Sequence, residues 1–315
     1  MREFEFIEWI RSQTHLSSAA VPVGPGDDMA VVAWGREQVL VAVDQVLDGV
    51  HFQLQAHGAR AGGRYAMVRN LSDVAAMAAV PSCVVASVAL PRGMGRDQAE
   101  AIYLGLRELA DEFACPVVGG DVGVWEGALA ISVAILARPE GIAPVLRSGA
   151  KAGDALCVTG ALGGAWRSGR AMAFMPRVLE ARMLAKRYGL RAMIDLSDGL
   201  AGDLGHLCRA SGVGAEVRAD LVPIHGDVFS QLGLDPSDPA AKSSEKALCA
   251  ALSDGEDYEL LFALPADRAD RLLHDQPLDV PVTRIGRVVE GADVVFVDPA
   301  GRRTPLPAGG WEHAT

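Results

Sequence analysis

The sequence lacks an excess of basic residues. In 315 residues, 29 Lys and Arg stand against 40 Asp and Glu, which gives a formal net charge of −11, and only four of the basic residues are lysines. Nucleic acids and anionic membrane surfaces are bound through clustered Lys and Arg, so this balance argues against both classes of partner. An acidic protein still binds nucleotides when metal ions bridge the two negative charges. Small-molecule partners are therefore expected.

Long hydrophobic runs are also missing. Half of the residues are hydrophobic, yet no uninterrupted apolar stretch approaches the roughly 20 residues that a membrane-spanning helix needs. The first six residues carry acids where a secretory signal would need a basic flank and an apolar core. We therefore expect a cytoplasmic protein with no membrane partner.

Several catalytic motifs are absent. The five cysteines are odd in number and widely spaced, with neither a CxxC pair nor a zinc-ligand spacing, which predicts reduced and mostly buried thiols. There is no GxSxG motif, so nucleophilic catalysis has little support. None of the four lysines follows a glycine, so the GxxxxGK[ST] phosphate loop is absent and a P-loop enzyme is excluded.

What the sequence does contain is a series of short acidic motifs after apolar runs. Strands that end in carboxylates deliver them to a common edge, and such an edge repels itself unless cations occupy it. Mg²⁺ takes oxygen ligands and is usually held by few carboxylates plus substrate phosphates. The pattern predicts metal-dependent phosphate chemistry, although Asp and Gly at any single motif also suit an ordinary turn. The motifs are Gly26-Asp27-Asp28, Val43-Asp44, Asn70-Leu71-Ser72-Asp73, Gly119-Gly120-Asp121 and Asp195-Leu196-Ser197-Asp198-Gly199.

The length of the chain exceeds what one hydrophobic core usually supports, so we expect two domains. The Pro-, Gly- and Arg-rich segment 138–153 is the best candidate linker. The predicted domains are residues 1–138 and residues 139–315. Strands come in adjacent pairs and do not alternate strictly with helices, so we predict two α+β halves.

The pattern also predicts several local elements that would position the acids. A buried strand over 38–43 is expected to halt at Asp44, and a helix over 60–79 to carry Asn70 and Asp73 on one face. The run 116–118 predicts a short strand leading into a Gly119-Gly120-Asp121 turn, and Ser197 or Asp198 is expected to cap a helix. Backbone N–H groups of Gly119–Asp121 and of Gly160–Gly164 suit phosphate oxygens. The stretch 226–250 is expected to be an irregular surface excursion.

Taken in order, these motifs resemble the thiamine-monophosphate kinase family of the aminoimidazole-ribonucleotide synthetase superfamily. The resemblance runs from Glu3-Phe4 to Trp311-Glu312-His313. Besides the acidic motifs, it rests on Gly49-Val50-His51-Phe52, Val74-Ala75-Ala76-Met77, Arg147-Ser148-Gly149-Ala150, Met193-Ile194, and Gly255-Glu256-Asp257-Tyr258-Glu259-Leu260. It implies the two-domain α+β synthetase-like fold, with the amino-terminal domains pairing into a homodimer. It also implies transfer of the γ-phosphoryl group of ATP to thiamine monophosphate, giving thiamine diphosphate.

The resemblance assigns roles to individual residues. It implies that several Mg²⁺ ions are held by Asp28, Asp44, Asp73, Asp121, Asp195 and Asp198. It implies ATP contacts from Tyr103, Gly120, Asp121, Arg147 and Ser197, and contacts to the thiamine phosphate from His51, Glu256 and Trp311. Asp44, Asp121 and Arg147 are expected to carry the catalysis, because transfer between two anions needs alignment and charge neutralisation more than a strong base.

The sequence departs from the family at three hydroxyl positions. Relatives usually carry Ser-Thr where this chain has Ala42 and Val43, and Thr where it has Val122. The segment 169–177 also looks shortened. Every main carboxylate is kept, so a divergent kinase is the leading interpretation. A superfamily enzyme with a different acceptor, and a nucleotide-binding paralogue with reduced turnover, are the alternatives.

Overall fold

The computed structural model describes residues 3–13, 17–242, 244–298 and 301–305. The chain divides into two compact units. The amino-terminal unit comprises Leu16–Ala143 and Gly169–Val178, and the carboxyl-terminal unit comprises Met1–His15, Pro144–Ser168 and Leu179–Thr315. The boundary at residue 138 stays a prediction.

The described residues form helices and strands in mixed order, as an α+β chain should. The helices are α1 (Glu3–Gln13), α2 (Leu54–His57), α3 (Ala59–Ala76), α4 (Arg96–Glu112), α5 (Ala165–Ser168), α6 (Arg170–Ala173), α7 (Val178–Tyr188), α8 (Leu200–Ser211), α9 (Gly226–Leu232), α10 (Pro239–Lys242), α11 (Glu245–Ser253) and α12 (Ala266–Asp275), with a 3₁₀ turn at Ala219–Leu221. The strands are β1 (Ala30–Trp34), β2 (Glu37–Leu47), β3 (Val80–Pro91), β4 (Val117–Trp125), β5 (Ala130–Arg138), β6 (Ala155–Thr159), β7 (Ala192–Asp195), β8 (Gly214–Arg218), β9 (Leu260–Leu264), β10 (Val282–Val289), β11 (Val294–Val297) and β12 (Arg303–Pro305).

The amino-terminal unit is a sheet in the order β1-β2-β5-β3-β4, with only the β3–β4 pair parallel among its described strands. Strand β5 shows why one face is covered: Ile131, Val133 and Ile135 are fully buried, and the residues between them are half-buried. This alternation is the period of a strand with one face in the core. Helices α3 and α4 pack together on that covered face, so we call it the inner face.

The carboxyl-terminal unit is a sheet in the order β12-β11-β8-β10-β6-β9-β7 over the described residues. Every residue of the neighbouring strands β6 and β9 is buried. Such continuously apolar strands belong in the middle of a sheet that is covered on both faces. Helix α8 contributes Leu200, Leu204 and Leu207 to the same core.

Two predicted element ends are wrong in ways that concern the acids. Strand β2 does not halt at Asp44 but continues to Leu47, with Asp44 paired to Val133 on β5. The predicted turn at Gly119-Gly120-Asp121 is the interior of β4, paired to β3. A backbone hydrogen-bond ladder continues through an acid or a glycine when the neighbouring strand is already in place, so these residues did not mark ends. The helix predicted over 60–79 is confirmed as α3.

Two further local predictions are wrong. Neither Ser197 nor Asp198 caps α8, whose N-cap is Gly199; the backbone N–H of Asp198 instead donates to the carboxylate of Asp203 (3.1 Å). The stretch 226–250 is not irregular, because α9, α10 and α11 lie in it and bury Val228, Phe229 and Ala247 together. Ser244 caps α11 by accepting the N–H of Ala247. Short helices with small apolar residues carry too weak a periodic signal to be seen in the sequence.

All five cysteines are unpaired, as predicted. Cys115, Cys157 and Cys208 are buried, and burial raises the pKa of each thiol to about 12; Cys249 is exposed. Among the helices that the structure describes, none has the length and apolar character that crossing a bilayer requires.

Candidate active site

Helix α3 and the loop before β1 bring two of the predicted metal ligands together. A carboxylate oxygen of Asp28 and one of Asp73 lie within 4.8 Å of each other. Asp28 is buried and Asp73 is half-buried. On the same helix, Asn70 is fully buried; its Nδ2 donates to the carbonyl of Ala66, and its Oδ1 has no hydrogen-bond partner among the described residues. Helix α3 and the loop before β1 therefore carry several side-chain oxygen atoms.

Asp44 lies on the inner face of the sheet and meets helix α3. An oxygen of Asp44 is 3.7 Å from Nη2 of Arg69, and both side chains are largely buried. Ala42 is two residues away on the same strand and so shares this face, whereas Val43 points to the opposite face and is 67% exposed. Of the two positions on β2 where the resemblance leads us to expect a hydroxyl, only Ala42 is on the face of Asp44.

The Gly119-Gly120-Asp121 run lines a cavity of about 480 Å³ between β3, β4 and α4. Its walls are mainly apolar, with Val88, Leu90 and Ile102 among them. Tyr103 lines it too and is half exposed. Val122, the third position where the resemblance leads us to expect a hydroxyl, is also part of the wall. An apolar cavity beside an acid suits a flat ring that carries a charged tail.

The structure does not bring Asp44 and Asp121 together within one chain. Asp121 pairs with Ser87, Ser87 with Ser132, and Ser132 with Gln45. Because paired residues share a face and neighbours along a strand alternate, Asp121 lies on the outer face and Asp44 on the inner face. The two strands are also separated by β5 and β3, a distance of about 14 Å across the sheet. The expectation of one common edge is wrong for this pair.

His51 is buried beyond the end of β2, in the turn that follows Asp48. Its Nδ1 accepts the backbone N–H of Leu47 (3.0 Å), which assigns the ring proton of the neutral imidazole to Nε2. This residue is therefore built to donate a hydrogen bond from a fixed position.

In the carboxyl-terminal unit, two loops hold Ser197 and Glu256 side by side. The N–H of Glu256 donates to the carbonyl of Ser197 (2.7 Å), and the N–H of Tyr258 donates to the carbonyl of Leu196 (2.8 Å). Glu256 and Tyr258 both have positive φ, at 60° and 54°, which is strained for residues with a side chain. The Tyr258 hydroxyl donates to the Glu256 carboxylate (2.5 Å), fixing its direction. Strain of this kind is typical of a functional loop.

Arg147 and three acids form the charged part of the carboxyl-terminal unit. Ser211, at the end of α8, donates to the carbonyl of Arg147 (3.0 Å) and accepts the N–H of Ala150 (3.2 Å), so it anchors the loop. Asp203 is buried, and desolvation first and the charges of Asp198 and Asp195 next raise its pKa well above the usual range, while Arg147 opposes the shift.

The His206 imidazole is part of the same charged region. Burial, with Arg209 and Arg147 adding to it, lowers the pKa of His206 to about 4. The imidazole is therefore neutral at neutral pH. This neutral state gives His206 no catalytic charge.

The glycine turn Gly160–Gly164 was expected to offer N–H groups to phosphate. In the structure the N–H of Gly163 donates to Asp257 (3.0 and 2.8 Å) and that of Gly164 donates to Asp254 (3.2 Å). The protein's own carboxylates occupy these donors, so this part of the prediction is wrong.

Two residues of the site were missed in the sequence. Arg69 precedes the Asn70-to-Asp73 motif, and Asp203 lies on the apolar stripe that carries Leu200, Leu204 and Leu207. A charged residue on an otherwise apolar helix face was the available signal for Asp203, and the place directly before the acidic motif was the signal for Arg69. Trp311, assigned to the thiamine phosphate by the resemblance, lies outside the described residues.

Comparison with known proteins places these features in a family. Residues 26–138 match the AIR synthase related protein, N-terminal domain, and residues 168–298 match the AIR synthase related protein, C-terminal domain. Thiamine-monophosphate kinase of Rhodopirellula baltica is 38% identical over 91% of this chain and 89% of the relative. The solved structure of thiamine-monophosphate kinase from Stenotrophomonas maltophilia K279a is 32% identical, covers 96% of this chain and 99% of its own, and superposes with a TM-score of 0.74.

A second solved structure, AaThiL complexed with AMPPCP and TMP, is 28% identical. It covers 99% of this chain and 97% of its own, with a TM-score of 0.77. The predicted resemblance and the two-domain α+β synthetase-like fold are both confirmed by these matches. The chain belongs to the thiamine-monophosphate kinase family.

Proposed function

We propose that this chain transfers the γ-phosphoryl group of ATP directly to the phosphate of thiamine monophosphate, giving thiamine diphosphate and ADP. The observation that carries the proposal is the similarity to thiamine-monophosphate kinases over about nine-tenths of both chains. AaThiL was solved with AMPPCP, an analogue of ATP, and with TMP. The substrates of this chain are accordingly ATP and thiamine monophosphate.

The residues of the site suit a reaction between two anions. The acceptor is already a phosphate oxyanion, so no strong base is needed to create the nucleophile, and the neutral His51 and His206 are no obstacle. Catalysis then consists of alignment and charge neutralisation. Arg147 and Ser197 contribute donors to the phosphates of ATP, and the apolar cavity with Tyr103 and Gly120 receives the adenine ring.

The oxygen-rich donor set fits Mg²⁺. Mg²⁺ prefers hard oxygen ligands, and Asp28 and Asp73 provide them, with Asn70 three residues before Asp73 on α3 offering its Oδ1. When bound, Mg²⁺ neutralises phosphate charge during transfer. The residues that we propose to hold it are Asp28, Asp44, Asp73, Asp121, Asp195 and Asp198.

The thiamine phosphate is proposed to contact His51 and Glu256, with Trp311 stacking on a ring. Glu256 suits this role because its carboxylate is held by Tyr258 and matches a cationic thiazolium. His51 offers an N–H from Nε2 to a phosphate oxygen. A planar indole stacks well on a flat heterocycle.

We also propose that the protein is a homodimer joined through the outer face of the amino-terminal sheet. That face carries the exposed side chains of Val41, Val43 and Val85, which leaves apolar surface in water.

A charge on that face should separate the two copies. We expect Val85→Glu to run at the mass of one 33.0 kDa chain, where wild type runs at twice that mass, because the buried charge would have no partner. Light scattering after size exclusion measures the mass. The control is Leu179→Glu, an apolar position in the other unit that is more exposed than Val85, and this variant should stay dimeric. A wild-type mass of one chain would contradict the dimer.

The cytoplasm is the compartment that we propose. The unpaired thiols, three of them buried with raised pKa values, support a reducing environment.

The reaction itself is tested by incubating the purified protein with ATP, Mg²⁺ and thiamine monophosphate, and separating the products by chromatography. Thiamine diphosphate and ADP should accumulate in equal amounts. Absence of product from folded protein would overturn the function. A thermal-shift panel distinguishes the alternatives, because a different acceptor predicts stabilisation by another ligand and not by thiamine monophosphate. A paralogue without turnover would bind ATP but would not consume it when the acceptor is added.

A further inference from the structure

We propose that Arg69 is a built-in counter-cation for Asp44, with which a divalent cation must compete. This makes Arg69 a positioning residue that couples cation binding at Asp44 to the arrival of substrate phosphates. The inference rests on the proposed function, which assigns Asp44 to Mg²⁺. None of the assignments above gives Arg69 a role.

The position of Arg69 on helix α3 is the first support. It lies four residues after Tyr65 and four before Asp73, so the three side chains form one stripe. Its guanidinium carbon is 6.0 Å from the centroid of the fully buried Tyr65 ring. The side chain of Arg69 is 16% exposed and that of Asp44 is 27% exposed. A cation held this way is partly shielded from water, and its charge is felt by the acids around it.

The distance between the two groups is the second support. Nη2 of Arg69 is 3.7 Å from the Asp44 oxygen, beyond hydrogen-bond range but well within ion-pair range. A structural pair elsewhere in the chain differs: Nη1 of Arg191 is 2.6 Å from an oxygen of Asp154, whose side chain is 2% exposed. Asp154 therefore forms a close, buried ion pair with Arg191. Asp44 is neutralised by Arg69 while its oxygens stay available to another ligand.

The surroundings of Asp44 are the third support. The residue two positions before Asp44 on this face is Ala42, which offers no side-chain oxygen to a cation. The nearby guanidinium adds a repulsive charge for any second cation. Phosphates of a bound nucleotide reverse the balance, because their negative charge attracts both cations. Cation occupancy at Asp44 should therefore be low without nucleotide and rise when nucleotide binds.

The test uses Mn²⁺ as the probe, with the full-length protein and electron paramagnetic resonance to count bound ions. Without nucleotide, Arg69→Met should bind Mn²⁺ on the order of tenfold more tightly than wild type, because the competing charge is gone. AMPPCP should raise the Mn²⁺ affinity of wild type more than that of Arg69→Met. Arg69→Lys keeps the charge and should behave as wild type does.

Melting temperature provides an independent readout. In EDTA, Arg69→Met should melt about 4 °C below wild type, because Asp44 loses its counter-charge, and Mn²⁺ should restore most of the loss. The matched control is Arg191→Met, which breaks the close ion pair with Asp154 and should lose stability that Mn²⁺ does not restore. If Arg69→Met does not fold in EDTA, adding Asp44→Asn to it should recover folding, since the uncompensated charge is then removed.

Three results would overturn the proposal. They are Mn²⁺ affinity of Arg69→Met within twofold of wild type, a stability loss that is the same with and without Mn²⁺, and Arg69→Lys behaving as Arg69→Met does. None of these depends on turnover, so failure of this inference is distinct from failure of the kinase assignment. The product assay on wild type tests the latter alone.

Discussion

Asp121→Asn should lower the rate of thiamine diphosphate formation by about a hundredfold or more, since one charge of the proposed phosphate-neutralising set is removed. The melting temperature in metal-free buffer should stay within about 1 °C of wild type, because Asn keeps the size of a side chain that is exposed within its own chain. Asp121 is exposed on the edge strand β4. Steady-state kinetics at saturating ATP measure the rate of thiamine diphosphate formation. Thermal unfolding in metal-free buffer measures the melting temperature.

The control for this substitution is Asp111→Asn. Asp111 is an exposed acid of the same unit. It lies on α4, four residues after Arg107, with which it forms an ion pair. It loses the same charge without touching the cavity, so its rate should match that of wild type. A structural acid would show the opposite pattern, with substantial loss of stability and an unchanged rate per folded molecule. That pattern at Asp121 would remove it from the proposed site.

Gly120→Ala should abolish nucleotide binding and destabilise the protein by about 2–3 kcal/mol. A Cβ at Gly120 would lie 2.0 Å from the carbonyl oxygen of Ala86 on the neighbouring strand, a contact that no rotamer change can relieve. Strand β4 would have to move away from β3, and the cavity wall would move with it. Calorimetric titration with AMPPCP and chemical denaturation measure the two losses.

The same strand provides the matched control. A Cβ at Gly123 would meet nothing within 4 Å, so Gly123→Ala makes the same chemical change without the clash. It should bind AMPPCP as wild type does and be as stable or slightly more so, because alanine restricts the unfolded chain. Unchanged AMPPCP binding in folded Gly120→Ala would show that the β4 backbone does not form the nucleotide site.

The sequence predicted α3 well because its signal was internal. Helix α3 is buried on nearly every side and has no single apolar face, so its signal was the three-residue spacing of Asn70 and Asp73 within an unbroken helical run. The sequence predicted only that the acids lie close together. It did not predict that Asp73 would lie beside Asp28. Which acids meet depends on the strand order and the face each side chain takes, and neither is written in the local pattern.

The β2 and β4 acids show the limit most clearly. Asp44 and Asp121 looked alike in the sequence, each following an apolar run, and both were expected at strand ends. The register places them in the interiors of strands and on opposite faces. The sequence therefore predicted that Asp44 and Asp121 lie side by side, whereas β5 and β3 separate their two strands. A parity difference of one residue decides the face, and it can be counted only once the partner strands are known.

Arg69 and Asp203 were missed for a related reason. Each looked like an ordinary charged residue of a helix, and its importance comes from acids that are distant in the sequence or on a neighbouring loop. The prediction for the glycine turn at 160–164 was wrong in the opposite way, because it assigned a role that the residues do not have. Its N–H groups looked available to phosphate until Asp254 and Asp257, about ninety residues away, were seen to accept them.

Transfer of the γ-phosphoryl group of ATP to thiamine monophosphate is the central claim, and the fate of labelled phosphorus tests it. The wild-type protein is incubated with ATP labelled at the γ-phosphorus, thiamine monophosphate and Mg²⁺. The account predicts that the label appears in the terminal phosphate of thiamine diphosphate, in a one-to-one ratio with ADP. Label released only as inorganic phosphate, or thiamine monophosphate left unchanged while folded protein binds ATP, would contradict it.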